Sequence, residues 1–420
     1  MVKPSKRRFE LDMKQINYIK KKLEITTIED IDKAALKLLK NKLKTLTDIR
    51  QKHKTKFKVW DIVICAILAV LFGAESWEDI HDFVDGHYEW LREFLLMTGG
   101  IPCVKTYERV FSILDSKEIE TIFNDFIMSF SLDNNTQKDI IDIDGRVTRG
   151  SSRNATLYHE KIKPLNVLNA YSNNYGICLA SEQIDDKTNE IPTIPEILKR
   201  FNVKGNIITW DALNTQTTNV EAVIDLKGDY VVPIKGNQSN FYNDLIIYFD
   251  EKRLETIKAG NSKSEYLGYY EKRGSNIIHY EYYQTSDVKW YFDKEKWKKL
   301  NSIGVVKKTI DNGKEIKVEY RYYISSLFAN VELFSRAIRN HWSVENKLHW
   351  HLDFTFKQDK NNTTNKKALM NLELVNKLCL GILNKVKPFY NNISLRRIRK
   401  RISYNFKKSL VDLMCYLSLN

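Results

Sequence analysis

Apolar residues recur at helical spacing through the first third of the chain, and the period then changes. From about residue 43 to 135 the pattern is helical. "IVICAILAVLFGA" (Ile62 to Ala74) is apolar on every side, which predicts a helix buried all round. At 13 residues it falls short of the roughly 20 needed to span a bilayer. Ser76, with Asp79 three residues on, gives a capping-box start to "SWEDIHDFVDGHYEWLREFLLM". "GGIPCVKTYERVFSIL" reads as a turn and a short helix, which ordinary helix packing explains more readily than a DNA-binding helix-turn-helix.

At "KDIIDIDG" the period becomes that of a strand, Ile140 to Asp144, ending on an acid before Gly145. Two strand-like runs follow, "LNVLNAYS" and "GICLASEQI", joined by the turn residues Asn173, Asn174 and Gly176. Next come a helix ("TIPEILKRF"), an apolar strand ("NIITWD") ending at Asp211, a helix ("TNVEAVIDLKG") and a buried strand ("DYVVPIKG"). The order is β-β-β-α-β-α-β, with acids ending the first and fourth strands. Residues 241–327 interrupt it with one short helix, "FYNDLIIYF", and Tyr- and Ile-rich runs such as "NIIHYEYYQ" and "KVEYRYYISSL", an inserted β-rich module. Helical periodicity resumes near Val331 and carries Glu345. The predicted segments are therefore a basic arm (1–42), a helical domain (43–135), an α/β core in two parts (136–240 and 328–388), the insertion between them, and a basic tail (389–420). The tail's "SLRRIRKRISYNFKK" suits phosphate contact or a solvated helix face equally.

A chain of 420 residues suggests two or three domains, and 43% hydrophobic content makes it globular. Lys plus Arg number 67 against 53 Asp plus Glu, a net charge of +14. That excess suits a polyanion partner, since each neutralised phosphate releases counterions, but it suits a merely basic soluble protein as well. The Lys-rich first 42 residues read as an arm on DNA or a solvated helix. Five scattered cysteines without a CxxC pair read as reduced thiols of a cytoplasmic protein, and "MVKPSKRRFELDMK" lacks the apolar run of a signal peptide.

Asp144 and Asp211 would sit exposed at a sheet rim, as neighbours if the first and fourth strands pair. In a ribonuclease H-like arrangement those strands do lie side by side, and a later helix brings a third acid, for which Glu345 is best placed. Close carboxylates repel by about 4 kcal/mol per pair at 4 Å in an effective dielectric of 20. Two Mg²⁺ ions would relieve that repulsion and serve in-line phosphoryl transfer. Alone, an Asp before Gly is usually a turn former and a helix Glu is usually solvated; the weight lies in the three together. His341, Glu345 and His349 share a helix face by spacing, but without an HExxH arrangement for zinc. Trp342 and Trp350 read as packing residues before base-stacking platforms.

"IDIDGRVTRGS", "TNEIPTIPEIL", "GNIITWDALNTQ", "GDYVVPIKGNQ" and "IRNHWSVENKLHWHLDFTFKQD" follow one another in the order found in a known family. The chain resembles the DDE transposases of bacterial insertion sequences, specifically the ISAs-one family of the IS-four-like group, from about Leu46 to Lys387. The resemblance implies a helical transposase-associated domain followed by a ribonuclease H-like core interrupted by a β-rich insertion. It implies that Asp144, Asp211 and Glu345 are catalytic and hold two Mg²⁺ ions, with Mn²⁺ able to substitute. Lys235, Gly236, Asn237 and Gln238 match a KGNQ-like motif that meets DNA near the cut, and Arg339, His341 and Asn346 would position phosphates or metal ligands. The implied partners are double-stranded DNA, as terminal inverted repeats and target, and a second copy of the chain on that DNA. Two departures stand out. Arg146 replaces the family's usual Lys after "DG", keeping the charge needed for phosphate contact in a different geometry, and Leu352 stands where many relatives have a Lys after the Glu. The rival readings are a metal-dependent nuclease without strand transfer and an inactive DNA-binding relic or repressor.

Overall fold

The computed structural model describes residues 31–51, 53, 55–130, 138–156, 160–184, 190–260 and 263–419. Residues 1–30, most of the predicted arm, lie outside the described residues. Among the described residues six helices come first: α1 (Ile31–Leu43), α2 (Val59–Leu71), α3 (Trp77–Gly86), α4 (Tyr88–Leu91), α5 (Val104–Ile113) and α6 (Ser116–Met128). All of α2 except Trp60 is buried, as its uniformly apolar sequence requires. The capping box at Ser76 forms in full, with the Ser76 side chain accepting from the Asp79 amide and the Asp79 carboxylate accepting from the Ser76 amide. Among the described residues no helix is long and apolar enough to cross a membrane.

A mixed sheet of nine strands follows: β1 (Ile140–Thr148), β2 (Leu165–Ser172), β3 (Ile177–Gln183), β4 (Ile207–Trp210), β5 (Asp229–Ile234), β6 (Ser264–Arg273), β7 (Asn276–Thr285), β8 (Ser302–Asp311) and β9 (Ile316–Ser325). Their order across the sheet is β3-β2-β1-β4-β5-β9-β8-β7-β6. β1, β4 and β5 run parallel, with α7 (Glu190–Leu198) and α8 (Thr217–Asp225) in the crossovers. Two further helices, α9 (Ser239–Tyr248) and α10 (Glu251–Ala259), precede the antiparallel meander β6–β9. The segment read as an inserted module does not stand apart from the rest. Its last strand pairs with β5, from Val231↔Ser325 to Ile234↔Tyr322, so one continuous ladder runs through both.

Alternation assigns the two faces of the sheet. Ile141, Ile143, Ile208 and Trp210 face a core shared with α7, α8 and α9. Ile140, Ile207 and Val231 face the opposite way, against Phe334, Ala337 and Ile338 of α11 (Val331–Val344). Beyond α11 the chain forms α12 (Lys366–Val386), buried along almost its whole length, then α13 (Leu395–Ser403) and α14 (Phe406–Leu419). The stretch read as a basic tail is thus two helices, whose Leu395, Ile398, Ile402 and Leu410 join the core formed by α2, α5, α6 and α12. Asn371, buried in α12, donates to the Phe111 and Leu114 carbonyls at the end of α5, at 2.7 and 3.0 Å.

Candidate active site

β1 pairs with β4 in parallel up to Ile143↔Trp210, and the next residue on each chain is an acid. Asp144 and Asp211 are therefore set side by side by register, on neighbouring strands that lie about 4.8 Å apart. The sequence predicted that β1 would end at Asp144, and in this it is corrected. β1 continues to Thr148 because β2 goes on pairing with it, from Asp144↔Asn169 to Thr148↔Leu165, after β4 has stopped. Asp144 is left beside a missing neighbour, so a mid-strand residue still reaches the rim. Gly145 serves close approach here and not a turn, since a side chain there would collide with the Glu190 carboxylate.

Glu345 arrives from the other side. α11 lies over β1, β4 and β5, and at Glu345 its winding changes to π, through Glu345–His349 and again through His351–Thr355. Such π turns are uncommon and are frequent at functional sites. Across the wider turn His341 and His349 still both face the acid rim. His341 feels the Asp211 charge, while His349 Nδ1 stands 3.5 Å from Asp144 Oδ2. Lys347 pins the π segment to the sheet. Its ammonium donates to Asn173 Oδ1 at 2.8 Å, and Asn173 Nδ2 donates in turn to the buried Asp142.

Asp144, Asp211 and Glu345 line one open cleft of roughly 940 Å³, at the upper end of the 300–1,000 Å³ typical of small-molecule sites. Lys235, Arg339, His341 and Asn346 line it too. The far wall is cationic and aromatic; the sequence singled out its Arg339 and Trp342 but not Arg321, Tyr269 or Tyr280. Arg321 on β9 lies over the Trp342 ring at 4.8 Å, and Arg339 lies over Tyr269 and Tyr280 at 5.2 and 5.4 Å. Asn237 and Gln238 also make contacts within the chain. Asn237 Nδ2 donates to the Ala212 carbonyl at 2.8 Å and Gln238 Nε2 to the Thr215 carbonyl at 3.1 Å, bracing the turn that follows Asp211. Arg146 does not open onto the cleft. It is 5% exposed and pairs with Asp353 and with Glu373 of α12, the latter at 3.3 Å.

Burial, and then the charges of Asp211, Glu190 and Glu345, push the Asp144 carboxyl up to about 7. Glu190 was missed in the sequence although it stands in the quoted "TNEIPTIPEIL". Its carboxylate accepts from Asn214 Nδ2 at 2.7 Å and overhangs Gly145, tying the two acid-bearing strand ends together. Burial holds His341 and His349 near 4, so both rings are neutral at pH 7. Among the described residues no three His, Cys, Asp or Glu side chains form a ready-made metal-binding group.

The raised Asp144 carboxyl has a signed consequence. Its stabilising contribution is complete below the unfolded value of 3.8 and is lost as pH rises through about 7. The thermal midpoint of chelator-treated protein should therefore fall across that window. Asp144→Asn should flatten this part of the profile, and parallel profiles for the two proteins would contradict it.

Residues 40–127 match the DDE_Tnp_1-associated family and residues 135–379 the Transposase DDE domain family. The chain is 30% identical over 368 residues to "Putative transposase YncI" of Escherichia coli O157:H7, covering 86% of this chain and 91% of that one. It is 30% identical over 385 residues to "H repeat-associated putative transposase YhhI" of Escherichia coli K12, covering 90% and 98%. A piggyBac transposase synaptic complex with hairpin DNA aligns at 12% identity and a TM-score of 0.34, covering 95% of this chain and 81% of that one. With its acids gathered on one cleft and the domain match spanning most of the sheet, the chain belongs to the DDE-domain transposase family.

Proposed function

We propose that this protein cuts DNA at the terminal inverted repeats of its element and joins the freed 3′ hydroxyls to target DNA. The observation that carries the reading is the convergence of Asp144, Asp211 and Glu345, from β1, β4 and the end of α11, on a cleft walled by Lys235, Arg321 and Arg339. The strand order β3-β2-β1-β4-β5, with acids ending the parallel pair, supports a ribonuclease H-like core, and β6–β9 would be its insertion.

A DDE domain implies dependence on divalent metal. The donors fit a hard cation, being carboxylates whose burial and mutual repulsion already drive Asp144 toward its protonated form. Asp144, Asp211 and Glu345 would hold two Mg²⁺ ions, which in such sites activate the attacking oxygen and stabilise the leaving one. Lys235 and Arg339 would fix phosphates across the cleft, and the neutral His341 beside Asp211 would help position the metal ligands. Arg146 would act as a positioning residue, holding β1 to α12 through Glu373. Acting on two element ends at once would require at least a dimer on DNA.

Supplying the protein with Mg²⁺, a duplex bearing a pre-cut 3′-hydroxyl terminal repeat, and a supercoiled target tests this. Joined product is expected. Nicking without joining would favour a nuclease, and binding without either activity a repressor or relic.

A further inference from the structure

α13 carries charge that the cleft does not use. No acidic residue lies between Glu373 and Asp412 in the sequence. α13 buries Leu395, Ile398, Arg399 and Ile402, and exposes Arg396, Arg397, Lys400 and Arg401. None of these four outer cations meets a carboxylate among the described residues. Elsewhere on the surface cations do pair, as Lys298 with Asp225 at 2.5 Å and Lys105 with Glu108 at 3.0 Å.

The helix is also firmly seated. Arg399 donates to the Val70, Ala74 and Thr355 carbonyls at 2.9, 2.6 and 2.6 Å, fastening α13 to the end of α2 and to the second π segment, His351–Thr355. Two of the outer guanidiniums rest on rings. Arg396 lies over Phe354 at 4.9 Å and Arg401 over Tyr390 at 5.8 Å. Phe354 stacks in turn on Trp350 with centroids 4.5 Å apart, and these rings are 38% and 44% exposed. A guanidinium backed by a ring is pre-oriented and loses little rotamer freedom when it binds an anion.

We propose that α13 is a second contact for duplex DNA, lying against the sugar–phosphate backbone outside the acidic cleft, with Arg396, Arg397, Lys400 and Arg401 facing phosphates. The proposal rests on the transposase reading and adds a binding surface to it. A nine-residue helix is about 13 Å long, and over that length a duplex presents a charge for about every 1.7 Å of its axis. An anionic membrane fits less well, because a helix lying on a bilayer buries its apolar face in lipid, and the apolar face of α13 is already packed in the protein core.

The test is the salt dependence of binding to a short duplex of arbitrary sequence, for the full chain and for the combined variant Arg396→Gln, Arg397→Gln, Lys400→Gln and Arg401→Gln. Each phosphate that is no longer neutralised lowers the slope of log K against log salt by about 0.9, so a drop of up to about 3.6 is expected. Affinity for terminal-repeat and random duplex should fall together, and cutting at saturating protein should persist. If the fourfold variant does not fold, Arg397→Gln with Lys400→Gln, whose side chains touch no ring, should show about half that drop. An unchanged slope in a folded variant overturns the proposal, as does tight capture by phosphatidylserine vesicles that duplex cannot compete away. A parent chain that cuts DNA yet keeps its slope through the substitutions overturns the role of α13 alone. A parent chain that binds no duplex overturns the transposase reading with it.

Discussion

Asp144→Asn is expected to lower DNA cutting and joining by at least 10²- to 10³-fold, roughly the scale on which a site loses one transition-state charge interaction. Duplex binding should stay nearly unchanged. Asn keeps the size and one oxygen of the side chain, and it loses the charge that a divalent cation needs. Register places Asp144 next to Asp211, and burial together with its acidic neighbours raises its carboxyl to about 7. The substitution therefore removes a repulsion as well as a ligand. In chelator at pH 8 the variant should melt higher than the parent, although it is the less active protein. Cleavage gels, band-shift titrations and melting curves read the three quantities separately. Retained cutting with retained binding would end the assignment of this acid.

Glu373→Ala should cost about 3–5 kcal/mol of stability, the penalty for stripping one partner from a buried ion pair. Glu373 is 0% exposed at the centre of α12. Lys377 reaches it at 2.7 Å, Arg146 at 3.3 Å, and Gln358 donates to it as well. Burial opposes its ionisation, but Lys377 and Arg146 outweigh burial and hold its carboxyl below the usual range. With the carboxylate gone, the buried Lys377 keeps only the neutral Asn169 and Ser181 side chains, and Arg146 keeps only Asp353 as a counter-charge. Glu373→Gln keeps hydrogen-bonding capacity and should cost less. Urea unfolding midpoints for the three proteins would show the ranking, and an Ala variant as stable as the parent would contradict it.

Much of the sheet was legible from the alternation of residues. Apart from the longer β1, the first five strands and two crossover helices fall where the pattern put them, because each strand buries at least one face and short apolar runs bounded by turn residues have few other uses. The pairing of the acid-bearing strands was expected only through a ribonuclease H-like arrangement of that order, and it is present. What stayed hidden depends on partners distant in sequence. Nothing local says that β9 will bond β5, or that Arg146 will be claimed by Glu373 more than two hundred residues away. The π winding was hidden as well, since His341, Glu345 and His349 fit an ordinary helical period as letters, and only the packed segment shows the wider turn. Glu190 stood in a quoted motif, and the glycine following Asp144 was its signal. Gly145 was read as the end of a strand and turns out to be the space a carboxylate needs.

The bond ladder shared by β5 and β9 limits how this molecule can accommodate a bulky polymer. Tilting the aromatic wall away from the aspartates would mean unzipping the strand that leads into Lys235, so wall and floor behave as one stiff plate. Any change in aperture has to leave that ladder intact.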